Sequence, residues 1–265
     1  MDQAPQLGVA ARNSNSSEQV KLRFDDGGNR PVTFEEGDKP GVVTTPDPGD
    51  LAAITAQIRN ASEMADYVVV YLHAHEQMPR QIDAPARFVV DFAHAAIDAG
   101  AGVFVASGPH VLRPIEIYKG KVILYGLGNF IFENDLVLPQ PTDSYRRYGL
   151  GLEALPADLY DQRSDFGRKH RPSQALVWQS VVAEVIFRNG KPAQVNLTPI
   201  ELGFGLTRPD RGTPRLTDVA MGTKILERLQ KLSSPYGTKI EIKKGLGTIM
   251  IQNPSVQESS RGASR

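Results

Sequence analysis

The stretch Val103-Phe-Val-Ala-Ser-Gly-Pro-His-Val-Leu-Arg-Pro-Ile-Glu-Ile-Tyr118, followed by Lys121-Val-Ile-Leu-Tyr-Gly-Leu-Gly-Asn-Phe-Ile-Phe132, decides how this chain is read. An apolar run from Val103 to Val105 breaks into Ser107-Gly108-Pro109, a turn that only small or φ-restricted residues fill easily, and His110 follows directly. A second run, Val122 to Tyr125, ends in Gly126-Leu-Gly128-Asn129. Strands ending in glycine turns that bear a His and an Asn are how α/β proteins present polar groups at a sheet edge; they are equally ordinary strand-turn-strand grammar.

Working outward, Asp50 caps a helix whose apolar positions Leu51, Ile54, Ile58, Ala61 and Ala65 form one face. Tyr67-Val-Val-Val-Tyr-Leu72 then reads as a continuous apolar strand, buried on both faces of a parallel sheet, and ends in His73-Ala-His75-Glu76. Phe88, Val89, Phe92, Ala93, Ala96 and Ile97 predict a second helix ending at Gly100, with Arg87, Asp91, His94 and Asp98 turned to solvent. Helix, strand, helix, strand is βαβ order and predicts parallel pairing with a right-handed crossover.

The remainder divides into a polar segment over 1–38, an α/β domain over 39–252 and a disordered Ser/Arg/Gly tail over 253–265. A hairpin pairs Val20–Phe24 with Pro31–Phe34 around Asp25–Asn29. Asp135 to Pro172 reads as a long irregular connection, functional or disordered, with a short helix around Leu155 to Asp161. Trp178–Phe187 and Ala193–Leu202 are strands joined at Asn189-Gly190. Thr217–Leu232 is an amphipathic helix on Met221, Ile225, Leu229 and Leu232, and two last strands flank Gly245-Leu-Gly247.

Thirty basic and thirty acidic residues leave no net charge, so nothing recommends nucleic acid or an anionic membrane as partner. The absence of cysteine excludes disulfides, thiolate zinc sites and cysteine nucleophiles. No apolar run approaches the roughly 20 residues of a membrane span, and the first residues have neither a basic n-region nor an apolar h-region.

His73 and His75 sit two apart at a strand end and so face one side, and His110 ends a neighbouring strand-turn. Parallel strands bring their C-terminal ends together, where open α/β sheets bind ligands. Three imidazoles with Glu76, Glu116 and Asn129 in reach fit a divalent-metal site; polar capping of a strand end is the plainer reading. No Gly-x-Ser-x-Gly elbow, P-loop or dinucleotide fingerprint is present.

Leu72-His-Ala-His-Glu76, Phe92-Ala-His-Ala-Ala-Ile-Asp-Ala-Gly-Ala101, Gly108-Pro-His-Val-Leu-Arg-Pro-Ile-Glu-Ile-Tyr-Lys-Gly-Lys121 and Tyr125-Gly-Leu-Gly-Asn-Phe-Ile-Phe132 together resemble the CapA family of capsule and poly-γ-glutamate biosynthesis proteins. The resemblance implies a calcineurin-like metallophosphatase sandwich, two packed sheets flanked by helices, with two divalent ions (Mn, Fe or Zn) that polarise a phosphoryl oxygen and activate a bridging water. It implies metal ligation by His73 and His110, with Asn129 in loop architecture or orientation. It further implies work alongside capsule-polymer synthesis machinery, often outside the cytoplasm or at the membrane.

The same resemblance implies upstream ligands in Asp-x-His, Gly-Asp and Asn-His motifs. This chain has no Asp-x-His or Asn-His, and its Gly37-Asp38 and Gly49-Asp50 lie in a connector and at a helix start. Ser107 occupies the first histidine position of the family's Gly-His-x-Pro-His turn, which reads as a degenerate ligand. These departures predict that Met1 lies inside a longer protein, that the N-terminal strands of the sandwich are missing, and that metal binding by this chain is weak. The alternative is a non-catalytic envelope scaffold or polymer-binding protein with a degenerate metal site.

Overall fold

The computed structural model describes residues 42–78, 81–133 and 140–251, with the backbone of 20–23 and 31–34. The turn at Asp25–Asn29, the polar stretch 1–19 and the tail 253–265 lie outside the described residues. Packing divides the chain into units 1–42 and 43–265. In the first, β1 (Val20–Arg23) and β2 (Pro31–Phe34) pair antiparallel, Val20 opposite Phe34.

The second unit is α/β. Helix α1 (Pro48–Met64) is capped by Asp47, whose Oδ1 accepts the N–H groups of Gly49 and Asp50 at 2.8 and 3.0 Å. The cap is therefore Asp47 rather than Asp50, because Pro48 fits the first helical position and leaves Asp50 in the first turn. The buried side chains of α1 are Thr55 and Ile58, while Ile54 is 45% exposed. Thr55 can lie inward because its hydroxyl donates to the Leu51 carbonyl at 2.8 Å.

Strand β3 (Val69–His73) leads to a short antiparallel pair, β4 (Gln77–Met78) and β5 (Gln81–Pro85), then α2 (Arg87–Asp98) and β6 (Val103–Ser107). β6 pairs parallel to β3, Val69 opposite Val103 through His73 opposite Ser107, as the βαβ order predicts. β7 (Ile115–Tyr118) and β8 (Lys121–Leu124) form a hairpin whose turn, Lys119-Gly120, has φ of 52 and 73°. β8 runs parallel to β6, giving the order β3-β6-β8-β7.

Among the described residues β3 is an edge strand, and its pattern alternates rather than being buried throughout. Val70 and Leu72 pack under α2, whereas Val69 and Tyr71 are 61 and 62% exposed. The continuous burial expected of β3 belongs instead to the central strands β6 and β8, each covered on both faces.

Within the connection Asp135 to Pro172, the short helix expected around Leu155 to Asp161 is α4 (Pro156–Ser164), and α3 (Thr142–Arg147) stands where the sequence reads as irregular. β9 (Gln179–Arg188) and β10 (Lys191–Glu201) form the long hairpin, with Asn189-Gly190 at φ 50 and 74° as its turn. β11 (Arg215–Leu216) adds to β10, and α5 (Val219–Ser233) follows with Asp218 as cap. β12 (Glu241–Lys243) and β13 (Leu246–Met250) turn at Lys244-Gly245, one step earlier than the Gly245-Leu-Gly247 reading. The buried stripe of α5 is Gly222, Ile225, Leu226, Leu229 and Ser233, leaving Met221 38% exposed.

Val103, Ile115, Val122 and Leu124 of the first sheet, with Leu112 beside it, pack with Val181, Val195, Leu197 and Ile249 of the second and with Ile225 and Leu229 of α5. On the other face of the first sheet, α2 contributes Val89, Phe92, Ala93, Ala96 and Ile97 to a second core. This layering fixes one end of β3, β6 and β8, where the candidate residues gather.

Candidate functional site: a histidine cluster at the strand ends

His73 and Ser107 end adjacent parallel strands in register, and this brings their side chains together: His73 Nδ1 lies 2.9 Å from Ser107 Oγ, which also bonds the Tyr71 hydroxyl. The ladder continues one residue further, with the Ala74 N–H donating to the Ser107 carbonyl at 2.8 Å. That docks the turn 107–110 onto the 73–75 segment. Gly108 makes the docking possible, since at φ 116° a Cβ there would stand 2.6 Å from the Ala74 carbonyl oxygen.

His75 Nε2 consequently lies 3.2 Å from His73 Nε2, and the His75 and His110 ring centroids are 5.6 Å apart. His110 itself holds φ 63°, a conformation uncommon for a residue with a side chain. The sequence-predicted His73, His75 and His110 therefore form one cluster. Asn129 joins it: its Oδ1 is 2.8 Å from His110 Nδ1, and its Nδ2 donates to the Val177 carbonyl at 3.0 Å. Because a carbonyl only accepts, the amide orientation is fixed and His110 Nδ1 must be the donor, leaving Nε2 with a lone pair in the neutral ring. Gly128, at φ 82°, supports this; a Cβ there would meet the Gln179 carbonyl at 2.7 Å.

Burial pulls the His110 pKa below its ordinary value, the Asn129 hydrogen bond opposes this, and the charge of Arg171 and then the neighbouring histidines lower it further. The depressed pKa means the unfolded chain binds more protons than the fold just below the ordinary histidine range. His110 therefore contributes stability above about pH 6.5, lost as pH falls toward its folded pKa. Urea unfolding of the chelator-treated chain should show stability falling between about pH 7 and 5, with a shallower slope in His110→Asn. Equal slopes would contradict it.

Ser107, read as a degenerate ligand position, contacts His73. Its hydroxyl, which can donate or accept, bonds His73 Nδ1 and Tyr71 and so holds the His73 ring with Nε2 toward His75. The in-register parallel pairing was legible, but its consequence for Ser107 was missed.

Glu116 does not join the cluster. Its carboxylate accepts the Tyr125 hydroxyl at 2.6 Å and stands 3.0 Å from His94 Nε2, on the α2 side of the sheet. His94, expected to face solvent, instead bonds Glu116 and stacks on Tyr118 at 4.0 Å between centroids. The alternation Ile115-Glu116-Ile117-Tyr118 before Lys119-Gly120 was the signal for β7 and for this inward carboxylate. Glu76 is exposed beside the cluster; its charge acts on the buried guanidinium of Arg113, whose pKa burial lowers to about 10. Arg113, unmarked in the sequence reading, donates Nε to the Ile82 carbonyl at 3.1 Å and so ties β5 beneath the site.

Two imidazole nitrogens about 2.05 Å from a tetrahedral ion stand about 3.3 Å apart, so the His73–His75 pair has the bite of a metal-binding pair; the same separation suits an N–H···N hydrogen bond. Among the described residues, however, no group of three or more His, Asp or Glu side chains is arranged to hold an ion. The donors present fit part of a metal site and do not complete one. His110 also lines a cleft of about 580 Å³ with Tyr148, Tyr160, Arg163, His170 and Arg171 from the 140–172 segment.

Comparison with known proteins agrees with the motif pattern. Residues 6–134 match the family described as bacterial capsule synthesis protein PGA_cap, a match that begins upstream of the 39–252 domain read from the sequence. The uncharacterized protein y4sH of Sinorhizobium fredii (strain NBRC 101917 / NGR234) is 34% identical over 227 residues, 83% of this chain and 49% of its own length. The PGA biosynthesis protein CapA of Bacillus subtilis (strain 168) is 40% identical over 129 residues, 46% of this chain and 32% of its own. The capsule biosynthesis protein CapA of Bacillus anthracis is 35% identical over 100 residues, 35% of this chain and 24% of its own. The chain thus spans at most about half the length of these relatives.

Proposed function

This chain belongs to the CapA family of bacterial capsule synthesis proteins, and from that membership we propose that it is an accessory protein of capsule or polyglutamate synthesis whose histidine cluster is part of a metal-dependent phosphoesterase site of calcineurin-like type. The observation that carries the reading is the convergence of His73 and His75 Nε2 atoms at 3.2 Å beside His110, at the C-terminal ends of the parallel strands β3 and β6. The relatives' names support the pathway part of this reading, and the cluster supports its chemistry. The remaining ligands, in this reading, come from sequence outside the described residues.

A bound divalent ion would polarise a phosphoryl oxygen and lower the pKa of its water. His73 and His75 would hold the ion through Nε2, and Ser107 Oγ would then accept the His73 Nδ1–H and steady the ring. His110, neutral and held by Asn129, presents an unprotonated Nε2. Asn129 holds the ring of His110 against the β9 end of the second sheet through Val177.

The test is metal titration by calorimetry on this chain and on a longer product extended toward the relatives' length. The chain alone is expected to bind Mn²⁺ or Zn²⁺ weakly and the longer product to bind more tightly, with hydrolysis of bis-p-nitrophenyl phosphate. Ser107→Ala should weaken binding about 10-fold by releasing His73. Metal retention in a His73→Ala/His75→Ala double variant would sink the site assignment. Tight metal binding without hydrolysis in the longer product would favour the non-catalytic scaffold, for which the incomplete ligand set speaks.

A further inference from the structure

Resting on that phosphoester reading, we infer that the cleft beside His110 is an oxyanion site in which Arg163 and Arg171 grip the phosphate group of the substrate. Among the described residues, no carboxylate lines this cleft. The nearby carboxylates of the 156–165 segment are engaged elsewhere: Asp165 pairs with Arg168 and Lys169, Asp161 with Arg208, and Asp158 accepts the Leu155 N–H. Among the described residues Arg163 and Arg171 have no carboxylate partner. Both guanidinium groups line the cleft, and among the described residues that line it none carries the opposite charge.

Arg171 is tied to the histidine turn itself. Its Nη1 donates to the Pro109 carbonyl at 2.9 Å, so the residue preceding His110 fixes one edge of the guanidinium. Burial first, and then the charge of Arg163, depress its pKa. Like charges held this close repel, and an anion placed between them removes the penalty. A phosphate monoester suits the pair better than a carboxylate because it carries up to two charges and three terminal oxygens, enough for two forks.

The backbone gives independent support. His110 and His170 both line the cleft and both hold positive φ, His170 at φ 61 and ψ −154°, a region otherwise left almost wholly to glycine. Such conformations are unfavourable by about 1–3 kcal/mol each and persist where surrounding structure enforces them, typically at binding and catalytic sites. The cleft also has somewhere for the rest of the ester to go. A contiguous hollow of about 300 Å³ shares Tyr148, Tyr160 and Arg163 with it and adds Arg147 and Asp143. The phosphate therefore sits at the inner end, against His110, while its organic group runs out between the two tyrosines.

The chain should bind inorganic phosphate and phenyl phosphate with EDTA present, measured by calorimetry, with phenyl phosphate the tighter of the two. Arg163→Gln and Arg171→Gln should each weaken binding about 10-fold, the loss of one charged hydrogen-bond donor set. Arg171→Lys, which keeps the charge and loses the fork, should fall between, and Arg59→Gln on α1 should match the parent chain. Circular dichroism of each variant separates lost binding from lost fold. The inference is overturned if the parent binds neither phosphate, if both Gln variants bind as the parent does, or if a γ-linked glutamate oligomer competes for the arginines more tightly than phosphate. Because chelator is present throughout, phosphate binding can succeed where metal binding fails, and the reverse, so the two readings fail separately.

Discussion

Replacing Gly108 by valine is expected to destabilise the chain by ~4 kcal/mol or more, enough to unfold a marginally stable domain. A Cβ at this position would stand 2.6 Å from the Ala74 oxygen and 2.8 Å from its carbonyl carbon. These are backbone atoms, held by the Ala74 N–H to Ser107 carbonyl bond, so they cannot turn aside as a flexible side chain would. The φ of 116° adds ~1–3 kcal/mol for any residue with a side chain. Gly190→Ala is the matched comparison: its φ of 74° is also positive, but nothing lies within 4 Å, and it should lose only about 1 kcal/mol. Urea unfolding of both variants measures the difference. If Gly108→Val unfolds within about 1 kcal/mol of the parent, the turn is not docked on the His73–His75 segment and the cluster loses its scaffold.

The βαβ unit was legible because its signals are local and redundant: the period of α2, the apolar runs of β6 and β8, and the Ser-Gly-Pro turn all agree. The hairpin at Asn189-Gly190 was legible for the same reason, since a two-residue turn with both φ angles positive has few sequence solutions. What escaped depends on tertiary neighbours. β3 reads as doubly buried, yet whether an apolar strand is covered on both faces depends on what lies beside it, and Val69 and Tyr71 have one covered side too few. Helix α1 offers Ile54 and Thr55 as alternative inward residues, and a single internal hydroxyl bond to Leu51 tips the choice to Thr55.

The site divides in the same way. His73, His75, His110 and Asn129 were readable because strand ends of a parallel sheet converge by topology alone. The contact of Ser107 was not, because a hydroxyl judged as a metal ligand looks like a loss, whereas bonded to His73 Nδ1 it holds that ring with Nε2 toward His75. The arginines of the cleft come from a segment with no long periodic signal, folded into short helices by contacts that only the assembled domain supplies.

Glu116 provides the sharpest separation between a metal ligand and a structural carboxylate. Its side chain is 11% exposed and accepts the hydroxyl of Tyr125, which is wholly buried. Burial, and then the Glu116 hydrogen bond and charge, hold the Tyr125 pKa far above its ordinary value, so the phenol remains a donor at any working pH. Glu116→Ala would leave that hydroxyl without an acceptor and His94 without its partner, and should destabilise the chain by ~3 kcal/mol in urea unfolding. Glu116→Gln retains a carbonyl for the Tyr125 O–H and should lose about 1 kcal/mol. In calorimetric titration both variants, kept at temperatures where they are folded, should take up Mn²⁺ or Zn²⁺ as the parent chain does, because the carboxylate lies on the α2 side of the sheet and makes no hydrogen bond to His73, His75 or His110. A variant that kept its stability and lost metal would reverse this assignment, returning Glu116 to the metal site and leaving the buried Tyr125 hydroxyl to some other acceptor.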